Sequence, residues 1–191
     1  MRLKDADKDR ITRRIREGAA KAFRKQGYDG VSLDGLMAQA GLTRGAFYAH
    51  YRSKTAIFAD VVRHEHPLLA MLERRDGTGA RTLHDQMRAI FASYLDPETL
   101  DEVFEGCTLA ALTGDATRAD RAARSAYAAA FADLCAEMAR GQGNPAAAYA
   151  PALTLASGAV RSARASGEDG VSRTILEGAA AAFATILPAP R

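Results

Sequence analysis

The 191-residue sequence predicts an all-α fold of about nine helices. Three observations carry that reading. Apolar residues recur at three- and four-residue spacings along nearly the whole chain. No segment alternates as a strand would. Capping residues, prolines and glycines divide the chain at helical intervals. No apolar run approaches the ~20 residues a membrane span needs. The N-terminal stretch is charged and lacks the apolar block of a secretory signal. Cys107 and Cys135 are the only cysteines, too few for a disulfide framework, so reduced thiols in a cytoplasm are expected.

Taken in order, Ile11, Ile15, Ala19, Ala22 and Phe23 share one helical face. That helix closes with Lys21, Arg24 and Lys25 in its last turn and Gly27 just past its end. Ser32 is set to cap a short second helix carrying Leu33, Leu36 and Met37 and stopping at Gly41. Thr43 caps a third, to about Tyr51, and Ser53 a fourth, with Ile57, Phe58, Val61 and Val62 inward. Pro67 interrupts the fourth, because proline removes a donor and clashes with the preceding turn. The run DGTG at 76–79 reads as a loop. Leu83, Met87, Ile90, Phe91 and Tyr94 mark the next helix. Asp96-Pro97 then opens one expected to reach Gly114, and Asp115 is expected to cap another, to Gly141. Asn144-Pro145 opens the eighth, and the ninth runs from about Gly170 to Leu187. Three domains follow: 1–52, a three-helix head; 53–75, a connecting helix with a possible kink at Pro67; and 76–191, a helical body.

Charge separates head from body. Residues 1–64 hold 14 Lys/Arg against 7 Asp/Glu, a balance of +7, whereas residues 65–191 hold 12 against 16, a balance of −4. All five lysines lie at or before Lys54. A basic head on a mildly acidic body suggests a polyanion partner; a merely solvated charged surface is the plain alternative.

The stretch AGLTRGAFYAHYRSK, residues 40–54, sharpens the choice. It twice sets a cation one residue after a helix cap, at Thr43-Arg44 and Ser53-Lys54. A helix N-terminus carries partial positive charge, so each cation is disfavoured by about 0.3–1 kcal/mol. A nearby phosphate would reverse that sign. Two short helices joined by a tight turn at Gly41, with Leu42 as a buried plug, describe a helix-turn-helix. In that motif the start of the second helix enters the DNA major groove.

Residues 23–58 also resemble the DNA-binding region of the TetR family of bacterial transcriptional regulators. The shared features are Phe23, Gly27-Tyr28, Ser32, the Gly41-Leu42-Thr43 turn, Gly45, Phe47-Tyr48, His50-Tyr51 and Ser53-Lys54. Beyond residue 64 the resemblance is architectural only. It implies that Thr43 and Arg44 sit over base edges, that Tyr48, His50 and Lys54 touch phosphates, and that Ser32 faces the backbone. Phe47 and Tyr51 would be core. It further implies a homodimer through the last two, alanine-rich helices, on a palindromic operator, acting most simply as a repressor. A small-molecule effector would bind the body and release the DNA.

An apolar or aromatic effector suits the side chains between residues 81 and 141. Met87, Phe91, Tyr94, Phe104, Cys107, Tyr127 and Phe131 are pocket candidates, each also readable as plain core. Cys107 suggests an alternative, a thiol that senses electrophiles or oxidants, although its sequence neighbours Asp101, Glu102 and Glu105 are acidic. A second alternative is a helical interaction module that binds no DNA. Enzyme chemistry finds no constellation: His64-Glu65-His66 lacks the His-Glu-x-x-His spacing for zinc, and no nucleophile pattern, phosphate loop, metal set or cofactor motif is present.

Overall fold

The computed structural model describes residues 2–77, 82–167 and 170–191. The side chains of residues 2–6 and 103–105 lie outside that description, as does half of the expected 76–79 loop. All regular structure among the described residues is helical. The helices are α1 (Arg2–Gly30), α2 (Leu33–Gln39), α3 (Arg44–Phe47), α4 (Lys54–His64), α5 (Pro67–Glu73), α6 (Leu83–Tyr94), α7 (Leu100–Gly106), α8 (Thr108–Arg118), α9 (Arg121–Ala139), α10 (Ala150–Ala165) and α11 (Gly170–Ile186). Short 3-10 turns occupy Pro97–Thr99 and Ala146–Tyr149.

The chain divides into two compact units: Met1–Glu65 with Ala111–Ala129, and His66–Ala110 with Ala130–Arg191. In the first, α1 packs across α2 and α4. Ile15, Ala19, Phe23, Leu36, Met37, Phe47, Ile57, Phe58 and Val61 fill its core. Phe23 meets Phe58 edge-on at 5.2 Å, and Tyr28 meets Phe58 at 5.0 Å, the geometry that ring quadrupoles favour. Gly27 breaks the helical path of α1 at φ 72, where a side chain would be strained.

Three boundaries differ from those expected. Helix α3 spans only Arg44–Phe47, and the chain then turns, with His50 and Tyr51 both donating to the Phe47 carbonyl at 2.9 Å. The helix expected from Pro97 to Gly114 breaks instead after Gly106. Asp115 caps nothing of its own: α8 runs on to Arg118, and Asp120 caps α9 by accepting from the Ala123 N–H at 3.0 Å. Leu112 and Ala116 are buried, and that packing outweighs the roughly 1 kcal/mol penalty of Gly114 in a helix. The Asp115 carboxylate accepts from the Tyr28 N–H at 3.0 Å, serving the backbone group that the Gly27 break frees.

In the second unit α10 and α11 pack together, α7 lies against α10, and α6 meets α11. Phe91 of α6 stacks on Phe183 of α11 at 4.4 Å. Arg75 is buried and donates to the carbonyls of Leu72 (3.0 Å), Leu83 (3.1 Å) and Glu137. Burial, then the nearby Arg140, lowers its pKa from the usual guanidinium value.

Candidate nucleic-acid interface

Ser32 is exposed, and its Oγ accepts from the Gly35 N–H at 3.0 Å, which starts α2. After α2 the chain reverses at Gly41, whose φ of 62 is one that glycine adopts freely. Leu42 is half-buried against the core, and its N–H reaches the Met37 carbonyl at 2.9 Å. Thr43 is extended and its hydroxyl makes no capping bond. Phe47 and Tyr51, four residues apart, are buried together. They fix which side of this short segment faces outward. Thr43, Arg44 and Tyr48 are exposed, Tyr48 to 60%.

His50 is half-buried, with Nδ1 2.8 Å from Thr12 Oγ1 of α1. Lys54 is the first residue of α4, after Ser53, whose Oγ accepts from the Ala56 N–H at 3.0 Å. The two cations at helix starts have partners within the protein. Lys54 Nζ lies 4.4 Å above the Tyr28 ring, an attraction of about 0.5–1 kcal/mol at exposed sites. Arg44 Nη1 lies 3.2 Å from Asp34 Oδ2 of α2. Sequence reasoning named neither Tyr28 nor Asp34 for these roles. The available signal was that Asp34 is the only acid between Ser32 and Lys54.

Behind this face, Tyr51 donates to Asp60 Oδ2 at 2.6 Å. Burial, then Asp60, pushes its phenol well above the ordinary tyrosine range. Arg16 of α1 donates to Glu65 Oε1 at 2.7 Å and lies 3.7 Å from Asp60. Burial alone would lower the Arg16 pKa, but Glu65 and Asp60 together hold it above its usual value. This network joins α1 to the C-terminal half of α4 and to the turn after α3.

The second unit holds a cavity of about 230 Å³ between α5, α6 and α7. Leu68, Met71 and Ile90 line its apolar wall, and Ser93, Thr99 and Glu102 add polar atoms. Of the seven pocket candidates, Tyr94 and Cys107 line it. Tyr94 donates to the Cys107 sulfur at 2.9 Å, and Cys107 is buried immediately before α8. Met87 is fully buried, and Phe91 stacks on Phe183 beside a separate groove. Phe131 is half-buried in this unit. Tyr127 belongs to the first unit, with its hydroxyl 3.2 Å from Thr113 Oγ1. The Phe104 side chain lies outside the described residues. Among the described residues no three His, Cys, Asp or Glu side chains group as metal ligands, and no helix is long and apolar enough to cross a membrane.

A family model described as bacterial regulatory proteins, tetR family, matches residues 15–61. The HTH-type transcriptional repressor Rv1474c of Mycobacterium tuberculosis is 34% identical over 65 residues, covering 34% of this chain and 35% of that protein. The matched stretch thus spans about a third of that relative's length. Among solved structures, the reduced form of E. coli NemR superposes with a TM-score of 0.73 at 20% identity, covering 94% of this chain and 98% of that one. SmeT of Stenotrophomonas maltophilia in complex with triclosan gives 0.57 at 23% identity, covering 90% of each chain. At these identities the superpositions show a shared fold.

Proposed function

The chain belongs to the TetR family of bacterial regulatory proteins, and from that premise we propose that it is a homodimeric repressor released from a palindromic operator by a small effector. The observation that carries this reading is the outward side of α3. Thr43, with an uncapped hydroxyl, and Arg44 stand exposed at the start of the second helix of a helix-turn-helix and Tyr48 at its end, within residues 1–64 of charge +7. Thr43 and Arg44 read base edges. Tyr48, His50, Lys54 and the Ser32 end of α2 hold phosphates and fix the register. The 1–52 head, the 53–75 connection and the 76–191 body divide this work.

Two-fold pairing uses α10 and α11, whose outer sides carry small residues. A Cβ built on Gly158 or Gly178 would meet nothing within 4 Å, and Val171 and Ile186 are exposed to 54% and 41%. The effector is small and apolar or aromatic, matching the Leu68, Met71 and Ile90 wall, and its binding shifts the population away from the DNA-competent state. SmeT, of like fold, is a repressor whose complex with triclosan has been solved.

Fluorescence anisotropy against DNA from beside the gene and a scrambled control, across a salt series, tests the DNA reading. Two subunits per site, preference for one fragment and a slope of about −0.9 in log K against log salt per phosphate contact are expected. Absence of binding at low salt would return the chain to a helical interaction module.

One observation favours a second mode of release. Cys107 lines the effector cavity with Tyr94 donating to its sulfur, an interaction that strengthens when the sulfur is a thiolate. In this reading an electrophile entering the cavity bonds to Cys107 and the adduct acts as effector. Alkylation of Cys107 by iodoacetamide in the native protein, with release of DNA that Cys107→Ser abolishes, is expected. An unmodified Cys107 at neutral pH ends it.

A further inference from the structure

Asp34 is out of place by charge. It is the only acidic residue between Ser32 and Lys54, it is exposed, and it lies on the helix-turn-helix that a polyanion would approach. The first turn of a helix favours an acid whatever its partner, so position alone explains nothing further. Its pairing does. Asp34 Oδ2 takes one N–H from Arg44, at Nη1 and 3.2 Å, across the turn that joins α2 to α3. Among the described residues the Nε and Nη2 donors of Arg44 take no partner. Both side chains are more than half exposed, so the pair is too weak to lock the arginine but sufficient to bias its direction.

We propose that Asp34 is a specificity-determining residue that positions Arg44 for a guanine. Holding Nη1 leaves the Nε–Nη2 edge of the guanidinium as a two-donor fork, the arrangement that matches guanine O6 and N7. Where the base offers no such acceptor pair, the Nε–Nη2 edge makes no base contact, and nothing offsets the repulsion between the Asp34 carboxylate and the phosphates. Asp34 therefore penalises DNA that lacks the guanine while costing little on DNA that has it. Specificity obtained by such a repulsive element needs no additional contact with the correct sequence. This inference rests on the DNA reading above and assigns a role to a residue outside its contact set.

The test starts from a duplex selected by the wild-type protein from a randomised library, compared with an unselected duplex. Binding of both is measured for wild type, Asp34→Ala, Asp34→Glu, Arg44→Ala and the Asp34→Ala/Arg44→Ala double variant. Asp34→Ala should bind the unselected duplex more tightly and lower the selected-to-unselected ratio by about fivefold or more, the range of a guanine contact. Asp34→Glu should retain most of the ratio. In the Arg44→Ala background, Asp34→Ala should shift both duplexes by one common factor. If Asp34→Ala with Arg44 present tightens both duplexes equally, Asp34 is only a repelling charge and the proposal is overturned. If the wild-type protein enriches no sequence, the DNA reading itself fails first.

Discussion

Thr12 Oγ1 lies 2.8 Å from His50 Nδ1, and the threonine's one proton is already given to the Lys8 carbonyl at 2.9 Å. The hydroxyl can therefore only accept from the ring, which puts a proton on Nδ1. Nδ1 is thus engaged within the protein, and a phosphate contact would use Nε2. His50→Ala should weaken binding to the selected operator and to unselected duplex alike, as loss of a phosphate contact does, read by anisotropy. Unchanged binding would remove His50 from the phosphate contacts.

Tyr51 and Asp60 give stability a pH dependence at the alkaline end. The Tyr51 phenol is raised above its ordinary value by burial and by the Asp60 carboxylate 2.6 Å away. A raised acid contributes stability below the unfolded value, about 10 for tyrosine, and loses it as pH climbs through the folded value. Denaturant unfolding should therefore show wild-type stability falling above about pH 10 more steeply than that of Tyr51→Phe. At neutral pH, Tyr51→Phe should be less stable by about 1–2 kcal/mol. The lower part of the charged hydrogen-bond range applies because Asp60 keeps Arg16 at 3.7 Å. Equal alkaline slopes would mean that Tyr51 ionises freely in the native protein.

These pairings mark the limit of what the sequence discloses. Gly27 and Gly41 as breaks and Ser32 and Ser53 as caps rest on short-range chemistry, Phe47 and Tyr51 as core rest on the family resemblance, and all are as expected. The partners of Lys54, Arg44, His50 and Asp115 lie 26, 10, 38 and 87 residues away. No local pattern encodes such distances. Asp115 shows the hazard: an acid after a glycine has the signature of a cap, yet the freed N–H it serves belongs to Tyr28. The cavity was harder still. Met87, Phe91 and Tyr94 share one apolar stripe of α6, and helical periodicity is identical for a side chain that fills the core and one that borders a void. Tyr94 borders the cavity because the break after Gly106 brings Cys107 to its hydroxyl.

Arg75 carries a stability prediction for the second unit. Its guanidinium supplies donors to three carbonyls, those of Leu72, Leu83 and Glu137, from a side chain that is 1% exposed. Arg75→Met keeps much of the apolar stem but removes three donors. The Leu72 carbonyl keeps the Arg75 N–H and Arg140 Nη2, and the Glu137 carbonyl keeps the Arg140 N–H. The cost should be about 1–3 kcal/mol, read as a fall in thermal stability. Arg75→Lys should recover only part of it, because an ammonium cannot reproduce the planar fork that reaches three directions at once. Full recovery by lysine would reduce the role of Arg75 to its charge.

Arg44 and Lys54 should separate by the kind of affinity each supplies. Arg44 is exposed at the start of α3 with a free two-donor edge, whereas Lys54 lies over the Tyr28 ring at the start of α4. A base contact carries sequence information and a phosphate contact does not. Arg44→Ala should therefore cost about 1–3 kcal/mol on the selected operator and much less on unselected duplex. Lys54→Ala should weaken both alike and reduce the magnitude of the salt slope by about 1 per protomer. It should also lower the stability of the isolated protein by about 0.5–1 kcal/mol, through the lost contact with Tyr28. That last effect distinguishes two origins of a weakened complex. If Tyr28→Leu reproduces the stability loss but leaves the salt slope unchanged, Lys54 meets the phosphate directly. If Tyr28→Leu flattens the slope as well, the ring is what holds the ammonium in place for DNA, and the odd cation at the head of α4 is positioned by the core beneath it.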